Sequence, residues 1–342
     1  MEARPQRYRK ESLMRHLSRA AAAMLLLVPA AGAQSLPDGL VERNLTIPGP
    51  VPLPAVLTLP AGKGPFRAVL IVHGSGAGDR DLTVGSLKPY RDIAWGLAQQ
   101  GVAVLRFDKR AKVAPMWYAG KAFTVWDETV QDAASALALL RAQPGIDARH
   151  VVMIGHSLGG MLAPRIATAD GKLAGIVLLA GATRALLADQ VERQFAYIAS
   201  ISAGDSATLA AVRTQQLLMA PRVARIRALV PADSTDLTII MGAPAKYFLD
   251  LNAFDPAVAM RAIPLPLLIL QGLRDYQVTP EQLDDYLRTL GPRPDVTVGR
   301  YESLNHLFLP GVGVPSPSDY AVPGHVDPSV IADIAVWIKR LP

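Results

Sequence analysis

The amino-acid sequence predicts an α/β fold with a mostly parallel central sheet and one inserted helical segment. Several short, continuous apolar runs are bounded by glycine or charged residues, a pattern typical of buried parallel strands. Stretches with apolar residues at helical spacing separate these runs, and regular alternation of strand and helix predicts helices packed against a parallel sheet. The alternation is interrupted once, between residues 180 and 265.

The predicted elements follow one another from residue 40 onwards. The strands are predicted at Leu40–Ile47, Leu53–Pro60, Ala68–Val72, Val102–Phe107, Val151–Ile154, Gly175–Ala180, Leu265–Leu270 and Val296–Tyr301. The helices are predicted at Leu87–Gln100, Val125–Ala142, Leu158–Ala169, Glu281–Leu290 and Pro328–Leu341, with Thr124 and Thr279 as N-caps. Residues 184–258 are rich in Ala, Leu, Arg and Gln, and they are predicted to form a helical cap over the C-terminal edge of the sheet.

Composition excludes several kinds of chemistry. The chain has 342 residues, enough for one large core or two smaller ones. It contains no cysteine, which excludes disulfide scaffolds, cysteine-ligated zinc, iron–sulfur clusters, a thiol nucleophile and a lipid-anchoring cysteine. Any catalysis therefore uses oxygen or nitrogen groups.

Positive charge is concentrated at the N-terminus. The net charge is +6, but residues 1–33 hold six basic and two acidic residues, which leaves 29 basic and 27 acidic residues and a net charge of +2. A nucleic-acid partner is therefore not predicted.

The N-terminal segment has the pattern of a secretory signal peptide. A basic stretch precedes the apolar run Ala20–Ala31 and the small-residue motif Ala31-Gly32-Ala33. This pattern predicts a signal peptide over residues 1–33, cleaved before Gln34, and an exported protein that is periplasmic or extracellular. Translation from Met14 is one alternative. An uncleaved membrane anchor is another, but the apolar run is shorter than the roughly 20 residues of a spanning helix.

The glycine-rich turns match no nucleotide or zinc motif. The turn at residues 74–78 follows a strand, but it lacks G-x-G-x-x-G because residue 79 is aspartate. The sequence also contains no Walker A spacing and no H-E-x-x-H. Dinucleotide, phosphate and zinc sites are therefore not predicted.

A candidate nucleophile lies between a predicted strand and a predicted helix. The segment Gly155-His156-Ser157-Leu158-Gly159 has the G-x-S-x-G pattern of a nucleophile elbow. Ser157 would stand at the sheet edge, at a helix N-terminus whose dipole favours developing negative charge. The alternative is a glycine-rich turn with an incidental serine.

A serine nucleophile needs a base to remove its proton. After Ser157 the chain offers His306 and His325. His306 follows the run Val296–Tyr301 and precedes the last helix, so it is the predicted base. His325 lies in a loop rich in proline and glycine, and we predict a surface residue.

The base in turn needs a carboxylate to orient it. Asp275 follows the predicted strand Leu265–Leu270 and is the predicted orienting group. Asp250 and Asp255 are the weaker rivals.

Two backbone N–H groups are candidates for an oxyanion hole. One belongs to Leu158, directly after the nucleophile. The other belongs to Ser75, in the turn after an earlier strand, with Gly76 as the alternative. His73 and His156 are not assigned to catalysis, because histidines in such motifs more often stabilise turns through hydrogen bonds.

Longer motifs accompany the candidate triad. They are His73-Gly74-Ser75-Gly76, Asp79-Arg80-Asp81, Phe107-Asp108-Lys109-Arg110, Gly155-His156-Ser157-Leu158-Gly159-Gly160 and Leu304-Asn305-His306-Leu307-Phe308. Together they resemble the motifs of bacterial serine carboxylesterases of the α/β-hydrolase superfamily, over residues 40–341. The resemblance implies the α/β-hydrolase fold and hydrolysis of small carboxylic esters with short acyl chains, through an acyl-enzyme and without a cofactor.

The resemblance also implies a charged loop network beside the site. Its members are Asp79, Arg80, Asp81, Lys109 and Arg110. We interpret them as solvent-facing ion pairs that order loops. Substrate preference is assigned to the cap as a whole and to none of its residues.

Other functions are compatible with the same motifs. Peptidases, thioesterases and acyltransferases use the same triad and differ in leaving group and water access. A non-catalytic hydrolase fold that serves as a binding module is the alternative from another class, and the complete set of triad positions argues against it. Serine at the elbow excludes dehalogenase and dienelactone-hydrolase variants, which need aspartate or cysteine there.

Overall fold

A computed structural model describes residues 35–183 and 186–342 of the chain. The predicted signal peptide, residues 1–33, and its cleavage site before Gln34 lie outside the described residues. Residues 36–342 form one compact unit. No helix within the described residues is both long and apolar enough to cross a membrane.

The central sheet confirms the predicted α/β fold. The strands are β1 (Val41–Ile47), β2 (Leu53–Leu59), β3 (Phe66–Val72), β4 (Ala103–Phe107), β5 (Ile146–His156), β6 (Gly175–Leu179), β7 (Leu267–Gly272) and β8 (Val296–Tyr301). They form one sheet in the order β1-β2-β4-β3-β5-β6-β7-β8. The pairs β1·β2 and β2·β4 are antiparallel, and every other neighbouring pair is parallel.

Helices cover the sheet and fill the interval between β6 and β7. They are α1 (Pro89–Gln99), α2 (Arg110–Val113), α3 (Gln131–Arg141), α4 (Leu158–Met161), α5 (Ala163–Asp170), α6 (Leu187–Ile201), α7 (Ser206–Arg227), α8 (Ala245–Asn252), α9 (Pro256–Arg261), α10 (Pro280–Leu290) and α11 (Pro328–Arg340). A π-helical turn, Trp126–Val130, leads into α3. Short 3₁₀ turns lie at Pro115–Tyr118, Pro231–Thr235 and Pro317–Ala321.

Both faces of the central strands are buried. Along β3, Leu70 and Val72 belong to one hydrophobic cluster, whereas Val69 and Ile71 belong to the cluster on the opposite face. Successive side chains of a strand point to opposite faces, so a strand covered by helices on both sides needs an unbroken apolar run. The burial of each such side chain stabilises the fold by about 1.5–3 kcal/mol.

Three predicted elements differ from the structure by more than two residues at an end or by a break. Strand β5 begins at Ile146 rather than Val151, because it continues past an irregularity in its pairing with β3 through a polar stretch. The predicted helix Val125–Ala142 begins with the π-helical turn. The predicted helix Leu158–Ala169 is divided into α4 and α5, since Pro164 has no backbone N–H to donate to the preceding turn.

The topology brings several loops to one edge of the sheet. Strands β3, β5, β6 and β7 are parallel, so the loops that follow them leave the sheet at the same, C-terminal edge. Binding residues of open α/β sheets lie at this edge. All five residues predicted for the site follow strands that end at this edge. They are Ser75 after β3, Ser157 and Leu158 after β5, Asp275 after β7, and His306 after β8.

Candidate active site

Ser157 lies in a strained turn between β5 and α4. Its backbone angles are φ +54° and ψ −120°, a positive-φ conformation that costs energy for a residue other than glycine. The Ser157 N–H donates to the Leu179 carbonyl at 2.9 Å, which ties the turn to β6. The side chain is half-buried. Strain at this position presents the hydroxyl at the sheet edge, as a nucleophile elbow requires.

Close backbone approaches explain the glycines around Ser157. A Cβ atom on Gly155 would lie 2.5 Å from the Gly159 carbonyl oxygen, and one on Gly159 would lie 2.5 Å from the Val72 carbonyl oxygen. Both distances are shorter than any tolerated contact. The elbow therefore excludes side chains at these two positions.

His306 and Asp275 form a buried hydrogen-bonded pair. His306 Nδ1 lies 2.7 Å from Asp275 Oδ2. His306 is 5% exposed and Asp275 is 2% exposed. A carboxylate accepts only, so Nδ1 carries the hydrogen and Nε2 is left as the basic nitrogen of the neutral ring.

Backbone and side-chain donors hold the Asp275 carboxylate in place. Its Oδ1 accepts from the N–H groups of Gln277 at 2.8 Å and Val278 at 3.0 Å. Its Oδ2 also accepts from Gln271 Nε2 at 3.2 Å. These donors fix the orientation of the carboxylate toward His306.

The loops that carry Asp275 and His306 cross at a glycine. A Cβ atom on Gly272 would lie 2.3 Å from the Leu304 carbonyl oxygen, so only glycine fits there. The same carbonyl accepts from the Arg274 N–H at 3.0 Å. Asn305 Oδ1 accepts from two N–H groups of its own loop, which fixes the turn that presents His306.

His306 meets the nucleophile elbow through His156, the residue before Ser157. The His156 and His306 rings lie 4.8 Å apart between centroids, and His156 Nε2 lies 3.0 Å from the His306 carbonyl oxygen. No hydrogen bond of the described residues joins Ser157 Oγ to His306. Such bonds are often long in the absence of substrate and tighten only in its presence. The structure thus joins Asp275 to His306 directly, and it joins His306 to the elbow through His156, the residue before Ser157.

A chain of hydrogen bonds links the elbow to the turn after β3. The His306 carbonyl can only accept, so His156 Nε2 donates and His156 Nδ1 is the accepting nitrogen of a neutral ring. Tyr90 Oη, 3.0 Å from Nδ1, therefore donates to it, and Tyr90 Oη accepts in turn from the Gly74 N–H at 3.3 Å. Burial, followed by the nearby His306, lowers the pKa of His156 to about 3, which keeps the ring neutral.

The turn that contains Ser75 lies against the nucleophile. A Cβ atom on Gly74 would lie 3.0 Å from Ser157 Cβ, so the turn and the elbow are in contact. Ser75 itself is exposed. Leu158 is the first residue of α4, where a backbone N–H has no acceptor within the helix. The two predicted oxyanion donors therefore lie on segments that flank Ser157.

The charged network is less exposed than the sequence suggested. Arg80 and Asp108 form a half-buried pair at 2.8 Å. Lys109 and Arg110, however, are 3% and 0% exposed. The interpretation of these two as solvent-facing ion pairs is wrong, since both side chains are buried at the start of α2 and meet carboxylates on the π-helical turn and at the start of α3.

The rival residues lie elsewhere. The His325 side chain is exposed and its Nδ1 lies 3.1 Å from Asp92 Oδ2, as expected of a surface residue. Asp250 pairs with Arg165 at 2.8 Å. Asp255 caps α9 by accepting from two backbone N–H groups.

Sequence reasoning missed the polar residues that support the site. Tyr90, Gln271 and Glu128 each have a buried polar contact near the predicted residues, but no motif marks them. His73 is a buried neutral ring whose pKa is lowered to about 3, first by burial and then by Lys109, and its Nε2 donates to the Asp79 carbonyl. Among the described residues, no cluster of histidine and carboxylate side chains is arranged to hold a metal ion.

Comparison with known proteins identifies a matching family and several relatives. Residues 64–310 match the family described as serine aminopeptidase, S33. Esterase EstD from Thermotoga maritima is 38% identical over 89% of this chain and 69% of its own length. An ethyl acetate hydrolase from Pseudomonas putida is 33% identical over 40% of this chain and 41% of its own length.

Solved structures share the fold. Est1E from Butyrivibrio proteoclasticus has a TM-score of 0.54 at 13% identity, over 86% of this chain and 98% of that one. The Pyrococcus furiosus esterase Pf2001 has a TM-score of 0.51 at 15% identity, over 88% of this chain and 91% of that one. At these identities the likeness concerns the fold alone.

Proposed function

The chain belongs to the serine aminopeptidase S33 family of α/β hydrolases, and from this premise we propose that it is a serine carboxylesterase acting on small esters through an acyl-enzyme. The relation to the esterase EstD, 38% identical, supports the esterase class. One observation carries the mechanism: His306 donates to a carboxylate partner at 2.7 Å through its Nδ1, and its ring lies 4.8 Å from that of His156, the residue before a serine held at φ +54° in a strand-to-helix turn.

The acylation step uses Ser157 as nucleophile and His306 as base. Ser157 Oγ attacks the ester carbonyl carbon while His306 Nε2 takes the hydroxyl proton. Asp275 holds the imidazole by its Nδ1 and stabilises the imidazolium that forms. The tetrahedral intermediate then expels the alcohol, which receives its proton from His306 Nε2, and leaves an acyl group on Ser157.

Deacylation repeats the sequence with water. His306 Nε2 takes a proton from water, and the resulting hydroxide attacks the acyl carbon. Collapse of the second intermediate returns the proton to Ser157 Oγ and releases the carboxylic acid. In both steps the N–H groups of Leu158 and Ser75 are proposed to donate to the oxyanion.

Helices between β6 and β7 are proposed to cap the site. The predicted cap, residues 184–258, contains Tyr197 of α6, whose ring stacks at 5.4 Å on Tyr276, the residue after Asp275. Tyr197 Oη also donates to the Pro315 carbonyl at 2.7 Å. Contacts this close to the orienting carboxylate support a cap that limits the acyl pocket, and the ethyl acetate hydrolase relative supports short acyl chains.

Export is proposed on the N-terminal sequence alone. The basic stretch, the apolar run and Ala31-Gly32-Ala33 support cleavage before Gln34. N-terminal sequencing of protein recovered from the periplasm or the medium tests this proposal. A mature protein that begins at residue 34 supports it, and cytoplasmic protein that retains residues 1–33 contradicts it.

A peptidase is the second candidate because the matching family model is described as a serine aminopeptidase. Paired ester and amide substrates with the same acyl group separate the two. An esterase hydrolyses the ester far faster, since alkoxide and phenolate leave more easily than amine. Comparable rates would favour the peptidase.

The central experiment removes the nucleophile. Ser157→Ala is expected to lower kcat for p-nitrophenyl acetate on the order of 10⁶-fold, because the triad acts as a unit. The matched control is Ser200→Ala, which removes an exposed hydroxyl from α6. Circular dichroism checks that both variants fold. A folded Ser157→Ala variant with wild-type turnover would exclude the proposal.

A further inference from the structure

We propose that Lys109 and its ion-pair partner Glu128 are positioning residues for the oxyanion hole, because they fix the peptide unit that carries the Ser75 N–H. This inference rests on the proposed function and deepens it. It concerns a buried ammonium that belongs to the Phe107-Asp108-Lys109-Arg110 motif and that the triad chemistry does not employ.

The argument begins with a single hydrogen bond. Lys109 Nζ donates to the Gly74 carbonyl oxygen at 3.0 Å, and the contact is buried. The Gly74 carbonyl and the Ser75 N–H belong to the same planar peptide unit, in which the two groups point in opposite directions. A side chain that holds the carbonyl therefore sets the direction of the N–H.

The ammonium is itself held rigidly. Lys109 is 3% exposed and Glu128 is 9% exposed, and the two form an ion pair. Glu128 lies on the π-helical turn before α3, and its other carboxylate oxygen accepts from Thr129 Oγ1. A lysine side chain normally has large rotational freedom, but here its head group is fixed between a carboxylate and the Gly74 carbonyl.

A second bond holds the other side of the turn. The Gly74 N–H donates to Tyr90 Oη at 3.3 Å, so the peptide units before and after Gly74 are both anchored. Glycine at this position has no side chain to restrict its backbone. The direction of the Ser75 N–H is thus determined from outside the turn.

The ammonium also strengthens the donor. A cation bound to a peptide carbonyl polarises that peptide, and in a buried environment this makes its N–H a better hydrogen-bond donor. The effect matters most when negative charge develops on the substrate oxygen. It therefore acts on the transition state more than on bound substrate.

A neighbouring ion pair provides a matched control. Arg110 pairs with Asp132 and is as deeply buried as Lys109, but its hydrogen bonds go to Asp132 and Gln131 rather than to the turn. A purely structural role predicts similar consequences for removing either pair. A positioning role predicts a loss of catalysis for one pair only.

The experiment compares two double variants of the full-length protein. Lys109→Met/Glu128→Gln removes the ammonium without leaving an unpaired buried carboxylate, and Arg110→Met/Asp132→Asn does the same to the control pair. For the first we expect kcat for p-nitrophenyl acetate to fall about 10- to 100-fold, less than the 10²–10³-fold typical of deleting an oxyanion donor. KM should stay within about twofold because ground-state binding is untouched.

Labelling of Ser157 by a fluorophosphonate probe provides a second readout, since the probe also develops an oxyanion. The labelling rate should fall in parallel with kcat in Lys109→Met/Glu128→Gln and remain near wild type in Arg110→Met/Asp132→Asn. Equal loss in both double variants, or a change in KM alone, would overturn the inference. If the probe labels wild-type protein but the protein hydrolyses no ester, the proposed esterase activity is refuted. The labelling rates of the two double variants then decide the inference about Lys109. Wild-type protein that does neither overturns both.

Discussion

Two regions of the molecule contain ion pairs, which are buried in one region and exposed in the other. Between the start of α2 and the residues 128–132, the Lys109–Glu128 and Arg110–Asp132 pairs have side-chain exposures between 0% and 10%. Between α6 and α7, the side chains of Arg227 and its partners Asp189 and Glu192 are 44–52% exposed. The residue types are the same, but the first region excludes water and the second faces it.

This difference sets what each pair does. A buried charge loses its hydration, so its partner must stay in place, and a change to either residue is strongly destabilising. Exposed pairs are screened by water and salt and contribute little to stability. The turn beside Ser157 is therefore anchored to a buried ion pair, Lys109–Glu128, that must stay in place. The helices of the proposed cap, in contrast, can change sequence at small energetic cost.

The largest expected effect is the loss of stability when one buried ion pair is broken. Arg110→Met leaves the Asp132 carboxylate buried without its cation, and we expect the free energy of unfolding to fall by about 3–5 kcal/mol. Burial already raises the pKa of Asp132 even with Arg110 beside it, which shows how unfavourable this site is for a charge. Urea denaturation monitored by circular dichroism measures the loss.

The control for this prediction is the double variant Arg110→Met/Asp132→Asn. It removes both charges and should recover more than half of the lost stability, since no unpaired ion remains. If the single and double variants are equally unstable, packing against Trp117, which lies 4.4 Å from the guanidinium, dominates instead of charge.

Fold and elbow follow from local sequence, and this is why both could be predicted. Continuous apolar runs indicate strands that are buried on both faces of the sheet. Gly155 and Gly159 indicate close backbone contacts that exclude a side chain. The α/β-hydrolase fold is confirmed. The roles of Ser157, Asp275 and His306 stay predictions, supported by the 2.7 Å bond between the last two.

The supporting residues could not be predicted because their partners are distant in sequence. Tyr90 meets His156 across 66 positions and Lys109 meets Gly74 across 35. Nothing near Lys109 in sequence distinguishes a buried lysine from a surface one. Its burial results from how α2 and the π-helical turn pack, which only the tertiary structure shows.

Lowering the pH should reduce the free energy of unfolding through a histidine of the buried region and through none of the proposed cap. The effect is smaller than that of Arg110→Met. The pKa of the buried His73 is lowered from 6.5 to about 3, first by burial, and residues 186–261 contain no histidine. Between pH 6.5 and pH 3 the unfolded chain therefore binds a proton at His73 that the folded chain does not. The free energy of unfolding should fall by about 1.4 kcal/mol per pH unit below 6.5 for this group.

A pH series of urea denaturation with His73→Gln measures this contribution. Glutamine removes the titrating ring, so the slope of stability against pH between 6 and 5 should become shallower by about one proton, whatever the stability at neutral pH. Groups that titrate in both proteins contribute to both slopes and cancel in their difference. An unchanged slope would mean that His73 is already protonated in the folded protein.

The smallest effect is expected in the proposed cap. Arg227→Ala removes the cation that joins α7 to Asp189 and Glu192 of α6, but all three side chains are hydrated. We expect the melting temperature to stay within about 2 °C of wild type, and the difference to vanish in about 1 M salt because screening already weakens the pair. Scanning calorimetry at low and high salt measures both. A shift as large as that of Arg110→Met would show that the cap helices depend on their ion pairs as the turn does, and the contrast between the two regions would be lost.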